Sequence, residues 1–373
     1  SNPSIPSQIL CTKNVANSNG CIPCLAFAIA VYISILTAGC TSQIEDTSCR
    51  GNTVPGPDTI TCLVYNVENL FDLVDNGREY PEYVPGQCNW VWETFHAKLD
   101  NISKAIAAAG ADVVVLSEIE NAHALDHLRN ALKKRSCEYA CAAIGDRPYR
   151  TSTHTALLSS RRITATKCHG VTVPDGSHTR NILEADIAVG TCTLKIFANH
   201  WPSKRHPESF RAAAAHVLSG RLNELAPGVD YIIAGDLNTN AEEYADIRGK
   251  SYNDMNGAAA IHHVLGTAVF PGDTISGYVT ESDLRAGSGM LHYDLWFELP
   301  LPRRCSYMYK KNKETPDHIL LPAALYDGKG IEYVDNSFGV FRWHGRLIYN
   351  GRPFRWQMHY SKHGKQHVGQ GYS

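Results

Sequence analysis

The stretch Asp112-Val113-Val114-Val115-Leu116-Ser117-Glu118 decides the fold class. Its four successive apolar residues indicate a strand that is buried on both faces, because a half-exposed strand would alternate with polar residues. Apolar residues at helical spacing precede it, at positions 95, 99, 102 and 106, and Gly110 ends that predicted helix. A helix followed by a doubly buried strand is typical of an α/β domain.

The same alternation continues along the chain. Further strands are predicted at 60–66, 154–159, 182–189, 192–199, 231–234 and 319–321, and further helices at 125–134 and 210–225. No break in composition interrupts this pattern. We therefore predict one large α/β domain over residues 59–373.

Composition excludes a strong global attraction to nucleic acid. The chain has 373 residues, of which 43% are apolar and 19% charged, and its formal net charge is −2. Any basic surface must therefore be local, and Lys204-Arg205 and Arg303-Arg304 with Lys310-Lys311 are the candidates. Each run is equally compatible with an ordinary solvated surface.

The first 58 residues differ from the rest. An almost unbroken apolar stretch at 25–36 is followed by Thr37-Ala38-Gly39-Cys40. A membrane span needs about 20 apolar residues, so this shorter stretch predicts a signal peptide, with Cys40 as a lipidation site resembling that of bacterial lipoproteins. A buried N-terminal helix is the alternative. Residues 41–58 are polar and predict a tether, so we expect an exported protein, secreted or anchored at the cell surface, whose core begins near residue 59.

Polar residues follow several of the predicted buried strands. In chain order these are Asn66, Glu118, His200, and Asp236 with Asn238, while Asp317 with His318 directly precede the strand predicted at 319–321. A buried carboxylate without a partner is costly, so such residues indicate a site that meets a cation. Magnesium is the expected cation, because it binds through one or two carboxylates, water and substrate phosphate.

Each of these signals has a structural alternative. Gly235-Asp236-Leu237-Asn238 is also a favourable turn sequence, and Glu118 could simply emerge into solvent at the end of its strand. A single histidine such as His200 is more often structural than catalytic. Their recurrence at successive strand ends favours the functional interpretation.

Three longer motifs carry a resemblance to a known family. They are Asn66-Val67-Glu68-Asn69-Leu70-Phe71-Asp72, Asn199-His200-Trp201-Pro202-Ser203 and Asp317-His318-Ile319-Leu320-Leu321. In this order they resemble the endonuclease/exonuclease/phosphatase superfamily, in particular its exported bacterial branch. The resemblance implies a four-layer sandwich of two packed mixed β-sheets flanked by helices.

The resemblance also implies roles for individual residues. Glu118 matches the principal metal-binding glutamate and Asn66 the asparagine beside the metal. His200 matches the histidine that faces the scissile phosphate. Asp236 and Asn238 match the pair that orients the attacking water and a phosphate oxygen.

The remaining motif residues match less closely. Asp317 matches an acidic residue of the penultimate strand, whereas Glu68 and His318 are possible accessory residues. The family's Ser-Asp-His motif, whose histidine activates the water, has no counterpart before Ser373. We therefore expect this sequence to lack its C-terminal strand and to be a poor catalyst, unless His318 or a histidine at 359, 363 or 367 acts as the base.

The combined sequence features predict a Mg²⁺- or Mn²⁺-dependent phosphodiesterase that acts on nucleic acid. A phosphomonoesterase or a sphingomyelinase-like phospholipid phosphodiesterase is the alternative within the same chemistry. A non-catalytic surface binding protein with the same fold is the alternative from another class. We expect a monomer that contacts a membrane only through a lipid anchor.

Overall fold

The computed structural model describes residues 31–38 and 59–372, apart from 288, 310, 344–345, 350–351 and 362–363. Cys40 and the tether at 41–58 therefore lie outside the described residues. Among the described residues, no helix has the length and apolar character needed to cross a membrane.

Strands dominate the architecture. They are β1 (Val31–Ala38), β2 (Thr59–Leu70), β3 (Val113–Ile119), β4 (Cys141–Ile144), β5 (His154–Ser159), β6 (Ile163–Thr172), β7 (His178–Val189), β8 (Cys192–His200), β9 (Tyr231–Asp236), β10 (Ala268–Val269), β11 (Gly277–Tyr278), β12 (Tyr293–Asp294), β13 (Tyr307–Tyr309), β14 (Asn312–Glu314), β15 (Asp317–Leu321), β16 (Gly330–Tyr333), β17 (Gly339–Val340), β18 (Ile348–Tyr349), β19 (Arg352–Pro353), β20 (Met358–Ser361) and β21 (Gly364–His367).

Helices connect and cover the strands. The α-helices are α1 (Trp92–Ala109), α2 (Ala122–Lys133), α3 (Glu208–Asn223), α4 (Glu243–Asp246), α5 (Ala260–His263) and α6 (Glu281–Ala286). Short 3-10 helices lie at Pro81–Tyr83, Leu295–Glu298, Leu301–Arg303 and Ala323–Tyr326. The two long helices that flank sheet strands, α1 and α3, lie within three residues of their predicted positions.

Two mixed sheets form the framework. The strand order of the first sheet is β16-β1-β2-β3-β5-β4, and that of the second is β12-β15-β9-β8-β7-β6. Each sheet has one central parallel pair, β2 with β3 and β8 with β9, and antiparallel neighbours elsewhere. Residues at the ends of the two parallel pairs are the ones that the sequence predicts to be functional.

The alternation of side chains along the central strands explains the layers. In β3, Val113 and Val115 join a core cluster that also contains Ile196 and Ile232 of the second sheet. Val114 instead joins the cluster beneath α1 and α2. Because successive strand residues point to opposite faces, each central strand packs on a sheet on one side and on helices on the other.

The second sheet is covered in the same way. Phe197 and Ile233 lie in a cluster with Ala214, Ala215 and Leu218 of α3. The order of layers is therefore helix, sheet, sheet, helix, which confirms the predicted four-layer α/β sandwich.

One prediction about the N-terminal region is wrong. Val31–Ala38 forms a strand between β2 and β16, with antiparallel pairing to both. The sequence predicts that residues before about 58 lie outside the core, but an apolar β-branched segment can satisfy its backbone hydrogen bonds by joining a sheet. The alternative of a buried helix does not match either, because the segment is extended.

Candidate active site

A bulge in the first sheet places the first two site residues. The parallel pairing of β2 with β3 shifts between Asn66, which faces Ser117, and Leu70, which faces Ile119. Glu68 and Glu118 both adopt left-handed backbone angles at this point, with φ of 50° and 68°. Bulges redirect side chains, and strained residues of this kind concentrate at functional sites.

The second sheet supplies a row of three residues. His200 of β8 faces Asp236 of β9, and Asp236 faces Asp317 of β15. Directly opposed residues project from the same face of a sheet, so the three side chains lie side by side. The row ends the buried strands at the same edge.

Gly235 makes this arrangement possible. Its φ is +137°, and a Cβ atom at this position would lie 2.0 Å from the carbonyl oxygen of Asn199. Only glycine allows β8 and β9 to approach this closely immediately before His200 and Asp236.

Asn66 links the two sheets across the site. Its Nδ2 donates to Asp236 Oδ2 at 2.9 Å and to Glu118 Oε1 at 3.3 Å. His200 Nε2 lies 3.8 Å from the same Asp236 oxygen and 3.9 Å from the same Glu118 oxygen. The structure thus brings together Asn66, Glu118, His200 and Asp236, which are up to 170 positions apart in sequence.

Asn238 is held beside this cluster. Its backbone N–H donates to Asp236 Oδ1 and its Nδ2 donates to the carbonyl oxygen of Trp201, both at 2.9 Å. It has a φ of 50°, which asparagine tolerates better than most residues. The turn at 235–238 therefore also positions residues of the candidate active site, so the structural and the functional interpretation of this motif both hold.

Burial and mutual repulsion make the charged forms of the acidic groups in the site unfavourable. Burial raises the pKa of Glu118, and the charges of Asp236 and Glu68 raise it further. Burial also raises the pKa of Asp236, against hydrogen bonds from Asn66 and Asn238. The pKa of Asp317 lies well above its usual value because of burial and the nearby charge of Asp236.

His200 is neutral in this setting. Burial, and then the positive charge of Arg180, hold its pKa well below the usual value. Its Nδ1 is buried without a hydrogen-bond partner among the described residues. A neutral imidazole beside carboxylates can donate one hydrogen bond to a bound anion without carrying a charge.

The donor set fits a hard divalent cation. Within the described part of the chain, no three His, Cys, Asp or Glu side chains are arranged as a ready ligand shell. Magnesium does not need one, because it is usually held by one or two carboxylates with water and substrate phosphate. The excess of carboxylates and the buried Asp317 Oδ1, which has no partner in the described residues, both fit a site that binds a cation.

His318, a possible accessory residue on sequence grounds, has a partner at both ring nitrogens. Its Nδ1 lies 2.9 Å from Asp294 Oδ2 and its Nε2 lies 3.1 Å from the Thr239 carbonyl oxygen. It is fully buried and faces Gly235 across the strand pair, on the opposite face from Asp317. Both ring nitrogens therefore hold the fold, and His318 acts on Asp236 only through its charge, which opposes the raised pKa of that carboxyl.

Glu68 belongs to a neighbouring ion pair. Arg355 pairs with its carboxylate and also donates to Tyr307 Oη at 3.0 Å. The charge of Glu68 acts on Glu118, so Glu68 is close to the site even though it is already neutralised by Arg355.

The histidines near the chain end do not form an obvious base. His367 is buried, with Nε2 2.7 Å from the Glu82 carbonyl oxygen and Nδ1 accepting from Trp356 Nε1 at 2.9 Å. His359 is exposed. His363 lies outside the described residues.

Two cations near the site were missed by the sequence interpretation. The positive charge of Arg180 in β7 opposes the raised pKa of both Glu118 and Asp236. Lys98 of α1 is buried, and its pKa of about 8 is depressed mainly by burial. Arg180 lies in β7 where the polar residues of the strand give way to apolar ones, which could have marked it. The sequence around Lys98 shows only that a lysine interrupts the apolar face of a helix.

Comparison with known proteins supports the same family as the motifs. The profile of the Endonuclease/Exonuclease/phosphatase family matches residues 61–258, which is more than half of the chain. That range contains Asn66, Glu118, His200 and Asp236. No curated protein sequence matches the chain.

Several solved structures are distantly similar. Humanized TDP2 of D. rerio, with 14 mutations, is 19% identical over 70% of this chain and 82% of its own, with a TM-score of 0.43. An endonuclease/exonuclease/phosphatase from Beutenbergia cavernae is 15% identical over 70% of this chain and 63% of its own, with a TM-score of 0.44. A family protein from Leptotrichia buccalis is 14% identical over 69% and 86%, with a TM-score of 0.39. These similarities are too low to transfer a substrate.

Proposed function

The chain belongs to the endonuclease/exonuclease/phosphatase family, and on this premise we propose that it is a metal-dependent phosphodiesterase acting on nucleic acid. The observation that carries the proposal is the convergence of Asn66 and Glu118 from one sheet with His200 and Asp236 from the other. Acid, amide and imidazole groups around one point are what phosphoryl hydrolysis requires.

Glu118, with Asn66 beside it, would hold Mg²⁺ or Mn²⁺. When bound, the cation supplies positive charge beside a phosphate oxygen. Arg180 supplies a second, permanent positive charge, because an arginine remains protonated at any physiological pH. Together these charges would offset the carboxylates that otherwise repel an anionic phosphate.

The other residues would orient the reacting groups. Neutral His200 donates a hydrogen bond to a phosphoryl oxygen, and Asp236 with Asn238 holds the attacking water. Asp317 lies directly opposite Asp236 in the same row and would complete the acidic side of the site.

The proposal is tested by measuring hydrolysis of plasmid DNA, RNA, sphingomyelin and a chromogenic phosphodiester across a Mg²⁺ and Mn²⁺ series. We expect hydrolysis of at least one nucleic acid, its loss in EDTA, and a large decrease in Glu118→Gln and His200→Ala. Glu138→Gln is the matched control, because Glu138 is exposed and pairs with the exposed Lys133 of α2.

Other outcomes identify the alternatives. Hydrolysis of sphingomyelin, or of a chromogenic phosphomonoester added to the same series, without cleavage of nucleic acid would replace the proposed substrate. Metal binding without any hydrolysis would support a non-catalytic binding protein.

We also propose that the protein is exported, with Cys40 as the site of lipid attachment. The support is the apolar stretch at 25–36 followed by small residues and a cysteine. The position of Val31–Ala38 in the first sheet competes with this proposal, because a cleaved leader cannot remain in the fold. Cell fractionation with mass spectrometry of the mature N-terminus distinguishes the two.

A further inference from the structure

An aromatic pair lies on the surface beside the second sheet. The rings of Tyr149 and His178 stack with centroids 3.5 Å apart and an interplanar angle of 4°. A Cβ at Gly170 of β6 would lie 2.6 Å from Tyr149 Cε2 and 2.8 Å from Pro148 Cγ. Gly170 therefore lets the Tyr149 ring lie against the strand, with His178 stacked on it and exposed to solvent.

The loop that carries Tyr149 is held in place by a buried asparagine. Asn181 Nδ2 donates to the carbonyl oxygens of Gly145 and Tyr149 at 2.8 and 2.7 Å. The Tyr149 N–H donates back to Asn181 Oδ1 at 3.4 Å. The aromatic pair is thus a fixed surface and not a chance encounter of two side chains.

The same loop brings positive charge. Exposed Arg147 and Arg150 line an open depression of about 750 Å³ together with Pro148 and Cys168. Arg78 Nη1 donates to the carbonyl oxygen of Arg150 at 3.2 Å, which adds a third guanidinium. Asp146 Oδ2 lies 4.0 Å from Arg150 Nη2 and partly offsets this charge.

This surface, which we call the Tyr149–His178 platform, adjoins the candidate active site. Asn181 directly follows Arg180, whose charge acts on Glu118 and His200. His154 faces Ile119, the residue after Glu118, and the charges of Arg150 and Arg180 both act on its ring. Its Nδ1 is buried and has no hydrogen-bond partner among the described residues.

We propose that the platform binds a single-stranded polynucleotide next to the phosphate that is cleaved. An unpaired base stacks on the exposed face of His178, and Arg147 and Arg150 contact the flanking phosphate. A surface that binds single strands needs aromatic rings on which bases stack and positive groups that contact phosphates. The platform has both. The inference rests on the proposed function, since it takes the phosphate at Glu118 and His200 to belong to a nucleic acid.

The experiment measures binding separately from cleavage. Fluorescence anisotropy of a labelled oligothymidylate in EDTA gives the affinity of the full chain without hydrolysis. His178→Ala should weaken binding about 5- to 150-fold, which corresponds to the loss of one base–aromatic stack. Arg147→Gln with Arg150→Gln should also weaken binding and lower the salt dependence, by about 0.7 in log–log slope per lost phosphate contact.

Matched controls separate the platform from general charge and fold effects. Arg162→Gln removes an exposed arginine at the opposite end of the β6–β7 pair, and His216→Ala removes an exposed histidine from α3; neither should change binding. Hydrolysis of a small chromogenic phosphodiester, which has no neighbouring nucleotide, should be unchanged in His178→Ala.

The two proposals fail in different ways. Oligonucleotide binding that depends on the platform, without cleavage of any nucleic acid, would overturn the proposed function alone. Cleavage with unchanged affinity in the platform variants would overturn this inference alone. If the unmodified chain did not bind the oligonucleotide, this inference would also be overturned. It would likewise be overturned if the platform variants lost binding to anionic lipid vesicles but kept their affinity for the oligonucleotide.

Discussion

Asp236 and Asp317 face each other directly on the antiparallel strands β9 and β15, so two carboxyl groups share one buried position at the edge of the second sheet. Like charges placed opposite each other destabilise a sheet. Burial and this neighbour together raise the pKa of Asp317 well above its usual value. The fold therefore contains a repulsion that a bound cation would relieve.

We expect Asp317→Asn to stabilise the metal-free protein. The pKa of Asp317 is higher in the folded than in the unfolded chain, so the folded state binds this proton more tightly. The stability that protonation of Asp317 provides is therefore lost as the pH rises above about 4, the pKa of an unperturbed aspartate. The variant has no such loss, so its advantage in melting temperature should grow with pH above that value. Mg²⁺ should stabilise the unmodified protein more than the variant. Equal melting curves at all pH values would contradict the repulsion.

Glu118→Gln should weaken metal binding and leave the fold intact. The side chain is partly exposed at a bulge, so removal of its charge costs little packing. Titration calorimetry with Mg²⁺ should show the loss of affinity, and Glu138→Gln should bind the metal normally. Unchanged affinity in Glu118→Gln would show that the cation, if any, is held elsewhere.

His318→Phe should destabilise the protein, but it should not change the pH dependence of hydrolysis as the removal of a catalytic base would. It leaves the Asp294 carboxylate buried and unpaired, and breaking a buried pair typically costs about 3–5 kcal/mol. The double variant with Asp294→Leu should recover part of that loss in chemical denaturation. The pH profile of chromogenic ester hydrolysis should keep its shape in whatever fraction remains folded. A changed profile would return His318 to the site.

Much of this site was predictable from local sequence. Buried strands that end in acid or amide residues place those groups at a sheet edge, which holds for Asn66, Glu118 and Asp236. The alternation of strand side chains also predicts that Asp317 and His318 cannot both face the site. In the structure Asp317 faces Asp236, and His318 faces Gly235.

Other features depend on long-range pairing that no local pattern encodes. The register that sets His200 beside Asp236 joins residues 36 positions apart, and the contribution of Arg180 comes from a third strand. The strand at Val31–Ala38 was missed for a different reason. An apolar segment of that length fits an export signal and a sheet strand equally well, and only its partners β2 and β16 distinguish them.

Gly235→Ala should disrupt the site through the backbone. The added Cβ would meet the Asn199 carbonyl oxygen at 2.0 Å, and the φ of +137° is unfavourable for any residue with a side chain. We expect a loss of several kcal/mol in the free energy of unfolding, on the order of other strained substitutions. Gly220→Ala is the control, because a Cβ added at that position of α3 would meet no neighbouring atom within 4 Å outside its own helix backbone. A variant with unchanged stability and activity would show that β8 and β9 can separate at no cost.

Lys98→Met should stabilise the protein at neutral pH. The amine of Lys98 is buried over the Trp356 ring, 4.8 Å from its centroid, and has no hydrogen-bond partner among the described residues. Burial lowers its pKa from 10.5 to about 8, against the attraction of Glu68 and Glu118. The folded state therefore holds this proton less tightly than the unfolded state does.

The sign of the pH dependence follows from that difference. Between about pH 8 and 10.5 the unfolded chain binds the proton and the folded chain does not, so raising the pH through this window stabilises the fold. Below pH 8 the full cost of charging the amine is present, roughly 3 kcal/mol for a shift of this size. Lys98→Met should thus raise the melting temperature most at pH 7 and least above pH 10.5. Lys133→Met, at an exposed position of α2, should show no such trend. A destabilised Lys98→Met variant at pH 7 would mean that the attraction of the amine to Glu68 and Glu118 exceeds the cost of its burial.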